Sequence, residues 1–381
     1  MLVSRSDRGL IARWWFTVDR MLLSAVLLLM AAGVLVSMAA SPPVAERIGL
    51  DSFHFFKAQL VFLAPATCLL ITVSFLEARD ARRAAFAMFG LSIVLMLAAL
   101  MFGPEIKGAH RWINLGPIGV QPSELAKPSF VVVAAWFLSE RTKRPDMPGH
   151  IIAYIVFAMF VGLLVLQPDF GQTALTVMTF GLMLLVYGIP WILVLGLAGL
   201  CIMGVLVSYK LVPHVASRFD RFLNPDKGDT FQVDTATRAF HNGGLMGTGP
   251  GGGEAKLSLP DAHTDFSFAV VGEEFGFFAC IILMLLFVFI VMRILKRAKS
   301  EPDPFPALAL CGLGIIFGLQ AAINMGVNVS LLPAKGMTLP FISYGGSSLI
   351  GIAFAMGLVL AFSRRQPNVA RSSGAWQPAA A

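Results

Sequence analysis

GQTALTVMTFGLMLLVYGIPWILVLGLAGLCIMGVLVS, residues 171–208, contains no Asp, Glu, Lys, Arg or His. An α-helix needs about 20 apolar residues to cross a bilayer, so this run is too long for one crossing and suits two. Tyr187-Gly188-Ile189-Pro190-Trp191 sits at its middle. A glycine and a proline this close favour a tight turn back into the membrane. A kink there would instead merge the two spans and move every later loop to the other side. The Gly188–Pro190 spacing favours the turn.

Working outward, apolar runs recur near residues 20–40, 55–76, 84–102, 121–138, 149–166, 171–188, 190–208, 266–292, 305–330 and 340–362. The expected fold is an all-α polytopic membrane protein of about ten transmembrane helices, with a large outer loop between helices 7 and 8. Composition agrees: 57% of the 381 residues are hydrophobic and 13% charged, where soluble chains average about 25% charged. The expected divisions are a cytoplasmic tail over 1–19, a membrane domain over 20–363 containing the periplasmic loop 209–264, and a second cytoplasmic tail over 364–381. The first run is longer than the h-region of a signal peptide, so it is read as a span.

Orientation follows from the basic residues. The tails and the loops after spans 2, 4 and 8 hold 17 of the 29 Lys and Arg, among them Arg79, Arg82, Arg83, Arg141, Lys143, Arg144, Arg293, Lys296, Arg297 and Lys299. Short basic loops stay in the cytoplasm, so both termini are expected inside and the long loop outside. The net charge of +7 is accounted for by this topology and calls for no nucleic acid. Cys68, Cys201, Cys280 and Cys311 are scattered singly through apolar runs, the pattern of small buried hydrophobes rather than of a disulfide framework or a zinc site.

Four segments assigned to the outer face carry polar residues or backbone breaks. Span 4 opens Gln121-Pro122-Ser123-Glu124-Leu125-Ala126-Lys127-Pro128, placing Glu124 and Lys127 three apart on one helix face. They are either a self-satisfied ion pair or the lining of a polar cavity, with Pro128 loosening the helix beside them. Gln167-Pro168-Asp169-Phe170-Gly171 is the second break, and its Asp169 can cap the next helix or touch a ligand.

The long loop carries Arg218 and Arg221, then Gln232, then the glycine run 243–253, then Leu259-Pro260-Asp261-Ala262-His263-Thr264-Asp265-Phe266. Gly247, Gly249 and Gly252 match GxGxxG, but no βαβ unit surrounds them and no Walker lysine follows, so both nucleotide readings fail. A flexible backbone able to approach a bulky ligand is the expectation instead. Guanidinium forks suit phosphate oxygens, so Arg218 and Arg221 are candidates for a pyrophosphate, or else for ordinary lipid headgroups. Asp265 starts span 8 and can be a helix cap or a reactive carboxylate; Glu273 and Glu274 follow about two turns further in. The fourth segment runs from Leu332 through Lys335 and Ser343 to Ser348. Irregular backbone at membrane depth is tolerated where it lines a wet or protein-filled cavity, and one shared cavity explains all four segments. Charges gathered at a membrane–water boundary point to chemistry on a substrate that is itself half lipid.

At these residues the chain resembles the SEDS (shape, elongation, division and sporulation) membrane glycosyltransferases. The resemblance rests on KGAHRWINLGPIGVQPSELAK (107–127), LPDAHTDFSFAVVGEEFGF (259–277) and LPAKGMTLPFISYGGSSL (332–349), and covers nearly the whole chain. Lys335-Gly336 is closer to the division-type branch than to the elongation-type. One departure is Thr235-Ala236, where the family often has Gln-Ser, and those positions receive no role.

The resemblance implies polymerisation of lipid II, a disaccharide-peptide on undecaprenyl pyrophosphate, at the outer face of the inner membrane. Asp265 matches the family's essential aspartate, expected as general base. Glu124, Lys127, Arg218, Arg221, Gln232, His263, Lys335 and Ser343 are the expected substrate residues, with a divalent cation (Mg or Mn) as possible company for the pyrophosphate. A class B penicillin-binding protein, a crosslinking transpeptidase, and other division proteins at the septum are the implied partners. Two other classes remain open: a lipid II flippase, disfavoured by the sparse charge on the inner half of the spans, and a non-catalytic division scaffold.

Overall fold

The computed structural model describes residues 9–364 apart from 107, 117, 145, 190, 193–194, 197–198, 200–202, 205–209, 211–230, 260 and 334–335. Among them a short helix α1 (Leu10–Thr17) precedes α2 (Arg20–Arg47), α3 (His54–Ser74) and α4 (Ala78–Phe102). A hairpin of β1 (Ile113–Leu115) and β2 (Ile118–Val120), antiparallel with Asn114 opposite Gly119, leads into α5 (Pro122–Lys143), α6 (Gly149–Leu166) and α7 (Phe170–Tyr187). After the long loop's α8 (Phe231–Gly243) and α9 (Ala255–Ser258) come α10 (Ser267–Ser300), α11 (Pro304–Asn328) and α12 (Gly346–Phe362).

Seven of these, α2, α3, α4, α6, α7, α10 and α11, are long and apolar enough to cross a membrane, and α12 is a shorter apolar helix. The protein is therefore a multi-pass helical membrane protein. Helix α7 ends where its sequence says it must: Gly188 takes the left-handed conformation (φ 92°) and its N–H closes onto Leu184 and Leu185. Most of the run 190–208 lies outside the described residues.

Helices α5 and α12 form the centre. Phe130, Val131, Val132, Ala134, Ala135 and Leu138 of α5 are fully buried, as are Ala353, Met356, Leu358, Val359 and Leu360 of α12. A helix buried on all sides belongs inside a larger bundle. Outer helices turn apolar side chains outward instead, such as Leu60 and Val61 of α3 or Leu91 and Val94 of α4, as lipid-facing surfaces do. Cys280 is buried and Cys311 partly so, but Cys68 is exposed on α3, which corrects its expected burial; Cys201 lies outside the described residues.

The two ends of the bundle are tied separately. At one end Asp19 caps α2 through the Leu22 N–H (3.2 Å) and accepts from Arg293 (3.0 Å) and Arg297 (2.6 Å) near the end of α10. Burial works against its charged form, but those hydrogen bonds win and hold its carboxyl below the usual aspartate range. Arg364, just past α12, donates there to Thr17 (3.1 Å) and to the Phe75 carbonyl (2.8 Å). At the other end Lys256 reaches the Ala39 carbonyl of α2 (3.3 Å), and Phe55 packs on His263. Segments assigned to one side by their charge thus share one end of the molecule.

The span expected over 266–292 is not one continuous helix. Gly276 breaks α10 with φ 79° and ψ −177°. In an unbroken helix the carbonyls of residues 273 and 274 would accept from the amides of 277 and 278. Here the glycine loop takes both sets of partners. Glu273 and Glu274 carbonyls accept from Thr248 (2.9 Å) and Gly249 (3.0 Å), while Phe277 and Phe278 donate to Gly244 (2.9 Å) and Leu245 (3.4 Å). Backbone groups freed at membrane depth must find partners inside the protein, and residues 244–249 supply them. The approach is close: a Cβ on Gly247 would lie 2.1 Å from the Glu274 carbonyl oxygen. This stretch is therefore a docked plug, correcting the expectation of a flexible loop.

Candidate functional site

Helix α5 begins with Pro122 in its first turn, as proline prefers, and places Glu124 and Lys127 one above the other. Their side chains are 5% and 3% exposed, so neither is solvated from the surface. Lys127 Nζ lies 3.0 Å from Glu124 Oε1, 2.8 Å from Gln172 Oε1 and 3.3 Å from Gln320 Oε1. Gln172 Nε2 donates to Glu124 Oε1 at 2.8 Å. An ammonium has three protons, and three helices, α5, α7 and α11, each provide an acceptor. Beside the pair lies a narrow cavity of about 20 Å³, lined by Glu124, Lys127, Pro128, Phe317, Gln320 and Gly351 among others. That is room for about one water, not for a sugar.

From Gln320 a polar row climbs α11. Gln320, Asn324 and Asn328 recur every four residues and so share a face. Gln320 Nε2 donates to the Thr338 carbonyl (3.1 Å), and Asn324 Nδ2 to the Met337 carbonyl (2.6 Å), which binds the irregular segment before α12. Asn324 and Asn328 both donate to the main-chain oxygen of Asp265, at 2.9 Å each. Asn328 Oδ1 accepts from Ala269 N (3.0 Å) in the first turn of α10. The helix's N-cap position is Phe266, which provides no side-chain cap, and Asp265 stands one residue before it. Asp265 is half-buried and its side chain lies near Gly336, where an added Cβ would sit 3.5 Å from its Oδ2.

Around this carboxylate the loop folds back on itself. Asp261 accepts through its carbonyl from Thr264 (3.1 Å), Asp265 (3.1 Å) and Phe266 (3.2 Å), and its carboxylate accepts from Gln232 of α8 (3.2 Å). His263 is held between Phe55 (ring centroids 4.1 Å apart) and Tyr344 (5.6 Å). Its carbonyl accepts from Tyr344 N at 2.8 Å. Burial, and to a lesser degree Arg47, push the His263 pKa down to about 4 against the opposing pull of Asp261, so the ring is neutral at physiological pH. Ser343 is buried and its hydroxyl accepts from Leu339 N (2.9 Å), a local turn contact. Asp169 caps α7 through Gln172 N (3.4 Å) and lies 3.7 Å from Arg111.

The structure thus brings together Glu124 and Lys127 in one cluster, and Gln232, His263, Asp265 and Ser343 in another, with the α11 row between them. Arg218, Arg221 and Lys335 lie outside the described residues. Three groups escaped the sequence reading. Gln172 looked like an ordinary residue of α7. Gln320, Asn324 and Asn328 carried a signal in their four-residue spacing within an apolar span. Lys256 pairs with Glu274, both buried, while Glu273 accepts from the amides of Ala255 (2.7 Å) and Lys256 (2.9 Å). Among the described residues no three His, Cys, Asp or Glu side chains gather as a metal ion would require.

The model of the FtsW, RodA and SpoVE family, described as "Cell cycle protein", matches residues 19–368. A probable peptidoglycan glycosyltransferase FtsW from Caulobacter vibrioides is 42% identical over 372 residues, covering 97% of this chain and 95% of the relative. The rod shape determining protein RodA of Thermus thermophilus has a similar crystal structure, with a TM-score of 0.68 and 28% identity over 93% of this chain and 99% of that one. A chain solved in a peptidoglycan synthase complex that coordinates polymerization and crosslinking aligns with a TM-score of 0.75 and 29% identity, covering 91% and 97% of the two chains.

Proposed function

The chain belongs to the FtsW, RodA and SpoVE family of cell cycle proteins, and from that premise we propose that it polymerises lipid II as a division-type peptidoglycan glycosyltransferase. The reaction joins two lipid-linked disaccharides. A sugar hydroxyl of the acceptor attacks the donor's anomeric carbon, the new glycosidic bond forms, and the bond to the undecaprenyl pyrophosphate breaks with inversion. Asp265 takes the hydroxyl proton; a positioned base contributes typically about 10²–10⁴-fold. Arg218, Arg221 and Lys335 supply positive charge for the leaving pyrophosphate, a role guanidinium and ammonium groups suit. A divalent cation would serve the same charge, though among the described residues no three His, Cys, Asp or Glu side chains gather to hold one. Gln232, His263 and Ser343 serve the substrate near Asp265, and Glu124 and Lys127 serve it from the deeper pair.

The observation that carries this reading is the α11 row. It links the buried Lys127–Glu124 pair to the backbone of Asp265, so both charged clusters belong to one polar path. A ten-span topology extends the seven long apolar helices by α5, α12 and the run 190–208. With both termini in the cytoplasm, the Asp265 end faces the periplasm across the inner membrane. Division-type relatives and the synthase-complex neighbour support a septal role beside a class B penicillin-binding protein.

Purified protein supplied with lipid II should build glycan chains resolvable by gel. Asp265→Asn keeps the shape and removes proton acceptance, so it should insert normally and make none. Chain formation at the wild-type rate by this variant would remove Asp265 from the mechanism. Lipid II crossing the bilayer without polymerisation would replace the enzyme by a flippase.

A further inference from the structure

The break at Gly276 isolates the Asp265 end of α10. Residues 267–275 form a stub whose Glu273 and Glu274 carbonyls bond the loop rather than the Phe277 and Phe278 amides beyond the break. Helix continuity therefore cannot fix where the stub, and Asp265 before it, sits. Something else must.

At the near end Asn324 and Asn328 hold the Asp265 main chain. At the far end the stub carries Glu273 and Glu274, both fully or almost fully buried. Glu273 Oε1 and Oε2 accept from Ala255 N (2.7 Å) and Lys256 N (2.9 Å), and Asn242 of α8 stands 3.4 Å away. Lys256 forms an ion pair with Glu274 and also donates to the Ala39 carbonyl of α2 (3.3 Å). The stub is thus tied to α2 through one lysine that comes from the loop. A Cβ on Gly253 would lie 2.8 Å from Glu273 Oε2, so the loop chain is pressed directly onto this carboxylate.

We propose that Lys256, acting through Glu274, is a positioning residue for Asp265: it fixes the stub against α2 and so sets where the carboxylate meets the acceptor hydroxyl. This rests on the reading of Asp265 as the base. The loop 244–258 then has a definite task, to substitute for the helical hydrogen bonds that the glycine break removes. Lys256 and Glu274, buried together, would be a poor stabilising device, since ion pairs out of water gain little over apolar packing. They are a good alignment device, because each bond has a direction.

The test uses the full-length protein in detergent or nanodiscs, with two variants. Lys256→Met keeps the stem and removes the charge; Glu274→Gln keeps an acceptor for Lys256 and guards against a variant that fails to insert. A misplacement of about 1 Å costs roughly 10²-fold in rate, so kcat per folded molecule should fall about 10- to 100-fold with KM for lipid II within about 2-fold. Hydrogen exchange should quicken together at residues 265–272 and 247–249, by about 10-fold, and stay unchanged at 279–292. A merely structural pair would lower the yield of folded protein and leave kcat per folded molecule alone, and that result overturns the proposal. So does unchanged exchange at 265–272. If Asp265→Asn proves active, the base assignment fails by itself, while the exchange pattern still decides whether Lys256 holds the stub.

Discussion

Lys127 directs all three ammonium protons to side-chain oxygens, which makes the pair with Glu124 part of a larger knot rather than an isolated salt bridge. A single change, Glu124→Gln or Lys127→Met, leaves one buried charge against neutral amides and should destabilise by about 3–5 kcal/mol. The double change removes both charges and should melt closer to wild type. If the pair serves the substrate, that stable double variant makes no glycan; an active one returns both residues to structure. His263 supplies a second prediction, through pH. Its folded pKa of about 4 lies below the ordinary value near 6.5, so folding favours the neutral ring. Its contribution is complete above pH 6.5 and is lost as pH falls towards 4. The detergent melting temperature should therefore drop across that window, and His263→Asn should flatten the drop. Glu124 and Lys127 were legible in the sequence because charges stand out in an apolar run. The amides of Gln172, Gln320 and Asn324 were overlooked, since a single neutral amide in a long apolar span leaves the span intact and only the four-residue spacing on α11 marked a shared face. Lys256 was hidden differently, in a loop where lysines are ordinary.

Among the elements, α10 and the glycine plug show why composition misleads. Glycine runs signal backbone freedom, and freedom serves a flexible loop and a tightly docked one alike. What separates them is the partner, here a helix broken at Gly276 more than 20 residues on, and no local pattern announces that partner. Gly247 and Gly249 test the distinction side by side. Both have positive φ, 84° and 90°, so alanine strains either backbone. Only at Gly247 does the added Cβ meet a wall, 2.1 Å from the Glu274 carbonyl, while Gly249 has nothing within 4 Å. Gly249→Ala should cost about 1–2 kcal/mol from the left-handed conformation alone. Gly247→Ala adds overpacking and should cost about 3–4 kcal/mol. Thermal denaturation of the two variants measures the difference; equal losses would mean the plug yields freely.

For the whole molecule, apolar periodicity and the distribution of Lys and Arg carried most of the fold, because a bilayer leaves few other solutions for a chain this hydrophobic. Span parity was the exception, since it turns on the few residues around Gly188, and charge cannot arbitrate where none is present. The left-handed Gly188 ends α7 and so supports two spans over 171–208 rather than one. The arrangement of the ends argues the same way. Arg293 and Arg297 join Asp19 at one end, while Lys256 and His263 meet α2 and α3 at the other. Accessibility to a membrane-impermeant thiol reagent reads this directly. In a chain freed of its own cysteines, Glu254→Cys and Lys299→Cys place single thiols on exposed positions of the plug and of the far end of α10. Glu254 is the better outer site than Gly251, whose φ of 81° any side chain would strain. Intact spheroplasts should label position 254 and spare 299, and permeabilisation should expose 299. Labelling of both in intact cells would place the two ends of α10 on one side of the membrane, and the ten-span topology would fall with it.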